Sequence, residues 1–165
     1  MLVAAAVLAF VVLIGAGTPE AAVSTTAGSC PVTIPEWIVR PGSGFTAAAF
    51  NYGNARLRAH LYWPRGTLTA GTLPNGGAMA IVNTDGSISA KLGWWRGVAG
   101  RLAITGRRLD RRGPPLRAEV PGGYGSRGFQ PSRLTFPTVG CWRVTGKLPG
   151  ARLSFVVKVT KLSRR

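Results

Sequence analysis

Four arginines, Arg107, Arg108, Arg111 and Arg112, crowd around Asp110. Guanidinium groups bunched in this way present rigid forks of N–H donors, and the chemistry they support is anion binding. The plainer reading is a solvated turn. A second cluster is Trp94-Trp95-Arg96-Gly97. On a strand, adjacent indoles point to opposite faces, so one fills a core and the other lies near the surface. An exposed Trp beside Arg96 could dock on a partner protein, a sugar ring or a lipid interface. Core and edge packing is the competing role.

The run Gly123-Tyr124-Gly125-Ser126-Arg127-Gly128 has the spacing of a dinucleotide-binding loop. Such a loop works only after a strand and at a helix N-terminus, where backbone N–H groups meet the pyrophosphate. Pro121 precedes it and Pro131 follows, so no helix starts where one is needed. The run reads instead as a glycine-rich surface loop. Tyr124, Arg127, Phe129 and Gln130 would be displayed there, in a position to bind a ligand.

Catalysis finds little footing. His60 is the one histidine and lies between arginines on the presumed outer face of a strand. Beyond residue 27 the carboxylates are Glu36, Asp85, Asp110 and Glu119, and two of them fall in turns, where Asp serves local backbone hydrogen bonds. No pair suggests a glycosidase, and there is no HExxH, GxSxG or Cys/His cluster. The sequence therefore calls for no catalytic residue, no metal and no cofactor.

The elements that must hold these groups are strands. From Arg56, Leu57, Ala59, Leu61 and Trp63 alternate with Arg56, Arg58, His60 and Tyr62, a half-buried strand stopped by Pro64. Short strands are expected at Thr67–Thr69 and Met79–Val82. Asn83-Thr84-Asp85-Gly86 is a hairpin turn leading into a strand over Ser87–Trp95. Arg101–Leu109 alternates, and Ser132–Pro137 is a strand or strand edge. The best-specified part is the end. Gly140–Gly146 and Arg152–Thr160 alternate on either side of Leu148-Pro149-Gly150-Ala151, a long closing hairpin. Seven to nine short strands at this spacing predict an all-β fold, an antiparallel immunoglobulin-like β-sandwich, with a small β-barrel as the alternative. The expected organisation is a signal peptide and small-residue linker over 1–27, an extended Pro/Gly-rich arm over 28–55 and the sandwich over 56–162.

Charge bounds the partners. Lys and Arg number 21 against five Asp and Glu, a net charge of +16, and arginine outnumbers lysine 17 to 4. The excess begins at Arg40 and is spread to Arg165. It creates a positive field that favours an anionic partner, although Arg that simply solvates the surface is the bland alternative. Met1 to Gly17 carries no charged side chain and ends in Thr18-Pro19-Glu20. An apolar core of that length followed by small residues reads as a secretory signal peptide, too short to span a bilayer comfortably. An uncleaved signal anchor is the alternative. Export makes nucleic acid an unlikely partner and leaves anionic envelope polymers, lipid head groups or another envelope protein. Outside the cytosol, Cys30 and Cys141 read as a disulfide. A lipid anchor on Cys30 is the rival.

Several stretches resemble a group of uncharacterised bacterial exported proteins. They are Cys30-Pro31-Val32-Thr33, Lys91-Leu92-Gly93-Trp94-Trp95-Arg96-Gly97, Ile104 to Asp110, Pro114 to Ala118, Gly128-Phe129-Gln130-Pro131-Ser132, and Phe136 through Gly140-Cys141-Trp142. The resemblance covers most of residues 30–160. It implies export, a Cys30–Cys141 pairing and a β-rich domain, but no activity. Arg143 stands where the resemblance implies an acidic residue. The expectation is thus an exported, non-enzymatic sandwich module of the cell envelope that binds an anionic component or a protein. An envelope hydrolase and a purely structural domain are the alternatives. The candidate binding residues are Trp94, Trp95, Arg96, Arg107, Arg108, Tyr124 and Arg127.

Overall fold

The computed structural model describes residues 29–37, 46–72 and 79–162. The expected signal peptide and small-residue linker, 1–27, lie outside the described residues. No helix among those described is long and apolar enough to cross a membrane.

Among the described residues a 3-10 turn at Ala47–Ala49 precedes ten strands: β1 (Tyr52–Asn54), β2 (Leu57–Ala59), β3 (Thr67–Ala70), β4 (Ile81–Val82), β5 (Ile88–Arg96), β6 (Ala103–Arg108), β7 (Arg117–Glu119), β8 (Gly128–Phe136), β9 (Gly140–Leu148) and β10 (Ala151–Lys161). A second 3-10 turn over Pro64–Gly66 leads into β3. One sheet runs β1-β2-β5-β8-β7, with β4 also on β5, and the other runs β3-β10-β9-β6. The two sheets form a β-sandwich and do not close into a barrel. The larger sheet is antiparallel, whereas β3 pairs with β10 in parallel in the smaller one. β1 lies inside the segment read from sequence as an arm. β8 begins four residues before Ser132, so Phe129 and Gln130 belong to a strand and not to the glycine-rich loop.

Period-two alternation places the core between the sheets. Leu57, Ala59, Leu61 and Trp63 are buried, as their spacing requires. Trp94 from β5 meets Phe155 from β10 at 6.0 Å between ring centres, Trp63 meets Phe155 at 5.8 Å, and Phe136 from β8 meets Trp142 from β9 edge-on at 5.6 Å. The buried indole N–H groups of Trp94 and Trp142 donate to Ser132 Oγ and the Thr138 carbonyl. A Cβ on Gly146 would lie 2.5 Å from the Trp94 ring, so the close approach of β9 to that indole requires glycine.

Cys30 and Cys141 are bonded, with Cα atoms 5.5 Å apart and a sequence separation of 111. A sulfur in this bond cannot also carry a lipid thioether. Cys141 faces outward from β9, so the bridge lies outside the core and fastens the N-terminal segment over the smaller sheet. That segment continues along β10, where Thr33 N donates to the Val156 carbonyl and Val156 N donates to Thr33 Oγ1.

Candidate anion-binding face

The Trp94-Trp95-Arg96 cluster divides by parity. Trp94 is fully buried, and Trp95 on the opposite face is half-buried against Phe50, with ring centres 6.0 Å apart. Arg96 shares the parity of Trp94 and is 2% exposed. Trp94 and Arg96 are therefore structural residues and not surface binding groups. The guanidinium is met by carbonyls in place of a carboxylate. It donates to Tyr124 O at 2.7 Å, Gly125 O at 3.0 Å and Gly100 O at 3.3 Å, with longer contacts to the carbonyls of Arg127, Gly128 and Phe129. Burial pulls its pKa below the usual arginine range, yet arginine stays charged in proteins.

This clamp explains the glycine-rich loop. Gly123, Gly125 and Gly128 take positive φ, which glycine adopts without steric cost. Those turns bring the carbonyls of Tyr124, Gly125 and Arg127 inward to Arg96. The loop's inner side thus offers acceptors to a cation and no N–H cradle to a phosphate. Gln130 is buried and donates to Pro121 O and Pro131 O. Arg127 is exposed and donates to Gly97 O, and Tyr124 stays on the surface, edge-on to Phe129.

The arginines around Asp110 do not gather into a cradle. Arg108 Nε and Nη2 donate to the two Asp110 carboxylate oxygens at 2.7 and 3.0 Å, and Nη1 donates to Thr138. The carboxylate already occupies that fork. Hydrogen bonds from Arg108 hold the Asp110 carboxyl down to about 2. Arg111 and Arg112 are exposed beyond the strand end. Arg107, one residue along, points to the other side of β6.

What Arg107 joins is a basic sheet face. Register places Arg107 opposite Arg143, Thr105 opposite Thr145, and Ala103 opposite Lys147. It also sets Thr145 opposite Ser154, Lys147 opposite Arg152, and Cys141 opposite Lys158. These side chains point away from the core, and Arg107, Arg143, Lys147, Arg152 and Lys158 are all exposed. The five cations span three adjacent strands. Among the described residues the ion pairs are Arg108–Asp110 and Arg117–Asp85, so none of the five meets a carboxylate. Like charges directly opposite one another across strands repel, by up to about 1 kcal/mol per pair. Between the two like-charged pairs runs a row of hydroxyls in which Thr145 Oγ1 and Ser154 Oγ lie 2.8 Å apart.

Of this face, only Arg107 was among the candidate binding residues read from sequence, and Arg143 was noted only as a departure from the resemblance. Arg143, Arg152 and Lys158 were legible as outward residues of the closing hairpin, whereas Lys147 lies just past the strand expected over Gly140–Gly146. The pairing of β6 with β9 was not legible, and that pairing is what brings Arg107 beside Arg143. His60 is packed edge-on against Phe50 and Tyr62, and burial lowers its pKa. No family model matches the chain, and no curated protein matches it.

Two outcomes are expected. Arg96→Met leaves the loop carbonyls without their donor and lowers unfolding free energy by about 3 kcal/mol or more, measured by denaturant titration. The depressed pKa of Asp110 contributes stability that is complete above about pH 4 and vanishes as pH falls through about 2. Asp85, lowered by hydrogen bonds from Ser87, shares that direction. Asp110→Asn is therefore expected to lose less stability than the wild type between these limits, as read from thermal midpoints across the pH series.

Proposed function

We propose that this protein is an exported, non-enzymatic β-sandwich that attaches to a linear anionic polymer of the cell envelope through the outer face of β6, β9 and β10. The supporting observation is the set of five exposed cations on that face, with no carboxylate among them and with like charges in register. A polyanion lying across the strands relieves that repulsion. The disulfide supports a location outside the cytosol, because such bonds persist in oxidising compartments.

A polymer fits this face better than a bilayer does. Among the described residues the exposed large apolar side chains are Ile34, Trp37, Tyr62, Ile81, Val82, Tyr124, Val139 and Leu162, and none lies within the outward rows of β6, β9 and β10. Nothing there inserts among acyl chains. The remaining attraction is electrostatic and acts at the surface.

The test is binding of the oxidised protein to immobilised polyphosphate across a salt series. Affinity is expected to fall steeply between about 0.05 and 0.5 M salt, as the screening length shrinks. Arg143→Glu with Lys158→Glu is expected to weaken binding at least tenfold. Arg111→Glu with Arg112→Glu makes the same change in net charge off the face and is expected to stay within twofold of wild type. Salt-independent binding, or equal losses in both double variants, would refute attachment by this face.

A further inference from the structure

Within the basic face one depression is built differently from the rest. It has a volume of about 360 Å³ and is lined by Thr105, Gly106, Arg107, Arg143, Thr145 and Arg152. Its residues come from three strands. Neighbouring strands lie about 4.8 Å apart, and alternate residues along one strand are separated by about 6.8 Å. The hydroxyl row of Thr105, Thr145 and Ser154 therefore has the Arg107–Arg143 row about 6.8 Å to one side and the Lys147–Arg152 row the same distance to the other. An arginine side chain is long enough to lean across such a gap. Arg107 and Arg143 line the depression from one side of the hydroxyl row, and Arg152 lines it from the other. Thr145, almost fully buried and joined to Ser154, forms the floor.

We infer that this depression is a receptor for a tetrahedral oxyanion, the head of a phosphate or sulfate ester carried by the polymer. The inference rests on the attachment reading above and deepens it. A carboxylate is planar, and one guanidinium fork satisfies its two oxygens, as Asp110 does with Arg108. Three guanidinium forks arriving from three strands, with hydroxyls beneath, offer more donors than the roughly four coplanar lone pairs of a carboxylate take up. A tetrahedral group spreads its oxygens toward all of them. The choice of arginine in all three positions fits the same geometry, because lysine supplies only a point charge.

Affinities of the oxidised full chain for polyphosphate and for a carboxylate polymer of equal linear charge density separate the two readings. The wild type is expected to bind polyphosphate at least tenfold more tightly. Equal affinity for both polymers overturns the oxyanion receptor while leaving attachment intact, and binding to neither overturns attachment itself. Arg107→Lys with Arg143→Lys keeps the charge and removes the forks, so the preference is expected to fall to within twofold. A preference that persists in that variant overturns the receptor. Thr105→Val, at an exposed position, provides a second folded variant and is expected to lower affinity for inorganic phosphate severalfold; unchanged affinity counts against the receptor. Competition by inorganic phosphate and by sulfate identifies the ester. Competition by phosphate that strengthens as the monoanion becomes the dianion, at about pH 6 to 7, assigns a phosphate. Equal, pH-independent competition by sulfate assigns the sulfate ester.

Discussion

Burying Trp142, Val144, Phe155 and Val157 against Trp94 obliges the residues between them on the closing hairpin to face outward. A strand has only two sides, and one of these is committed to the aromatic core. The outward positions include Arg143, Lys147, Arg152 and Lys158, so the basic face is the obligatory reverse of the core. A one-residue slip of β9 against β10 would bury those cations and expose the valines. Core packing therefore fixes the register, and the register fixes which charges stand side by side. The hydrophobic contact between the sheets and the electrostatic character of the outer surface are in this sense one constraint.

Arginine is handled in two opposite ways in this chain. Arg96 lies inside, and backbone carbonyls from a glycine-rich loop supply the negative ends of dipoles around it. Taking an ion out of water is costly unless its donors are satisfied, and here the loop is folded around that requirement. Arg107, Arg143 and Arg152 of β6, β9 and β10 lie outside, exposed and each opposite another cation or beside one. The first arrangement is self-contained and builds shape. The second leaves attraction unspent and is suited to a ligand. Arg108 lies between these cases, its fork already closed by Asp110.

The local pattern was readable wherever alternation ran long. The β9–β10 hairpin, the strand through Trp94 and the burial of one of two adjacent indoles followed from spacing and residue type, whereas the Cys30–Cys141 bond followed from the expected export of a chain with two cysteines. What was not readable was pairing at a distance. Three-residue strands such as β1 and β7 carry too little pattern to stand out, and each exists because a longer neighbour accepts its hydrogen bonds. Arg96 was misplaced because charge suggested the surface, whereas its parity with Trp94 pointed inward. The same parity argument separates Arg107 from Arg108, which sequence proximity had joined. Neither Arg107 nor Arg143 carries any mark of the other, since only the meeting of β6 with β9 makes them neighbours.

The far side of β10 is a strand edge that would otherwise offer free backbone groups. It is covered in three stages. The Tyr52 hydroxyl donates to the Ser154 carbonyl, Thr33 takes both backbone groups of Val156, and β3 pairs with Lys158 to Lys161. The middle stage is supplied by a segment held only three residues from the cross-link at Cys30. Opening that cross-link frees the segment to lift away and leaves a gap in an apolar strand rich in valine. Uncovered strand edges recruit other strands. The disulfide thus serves as a clasp on the cover of this strand edge as well as a brace for the fold.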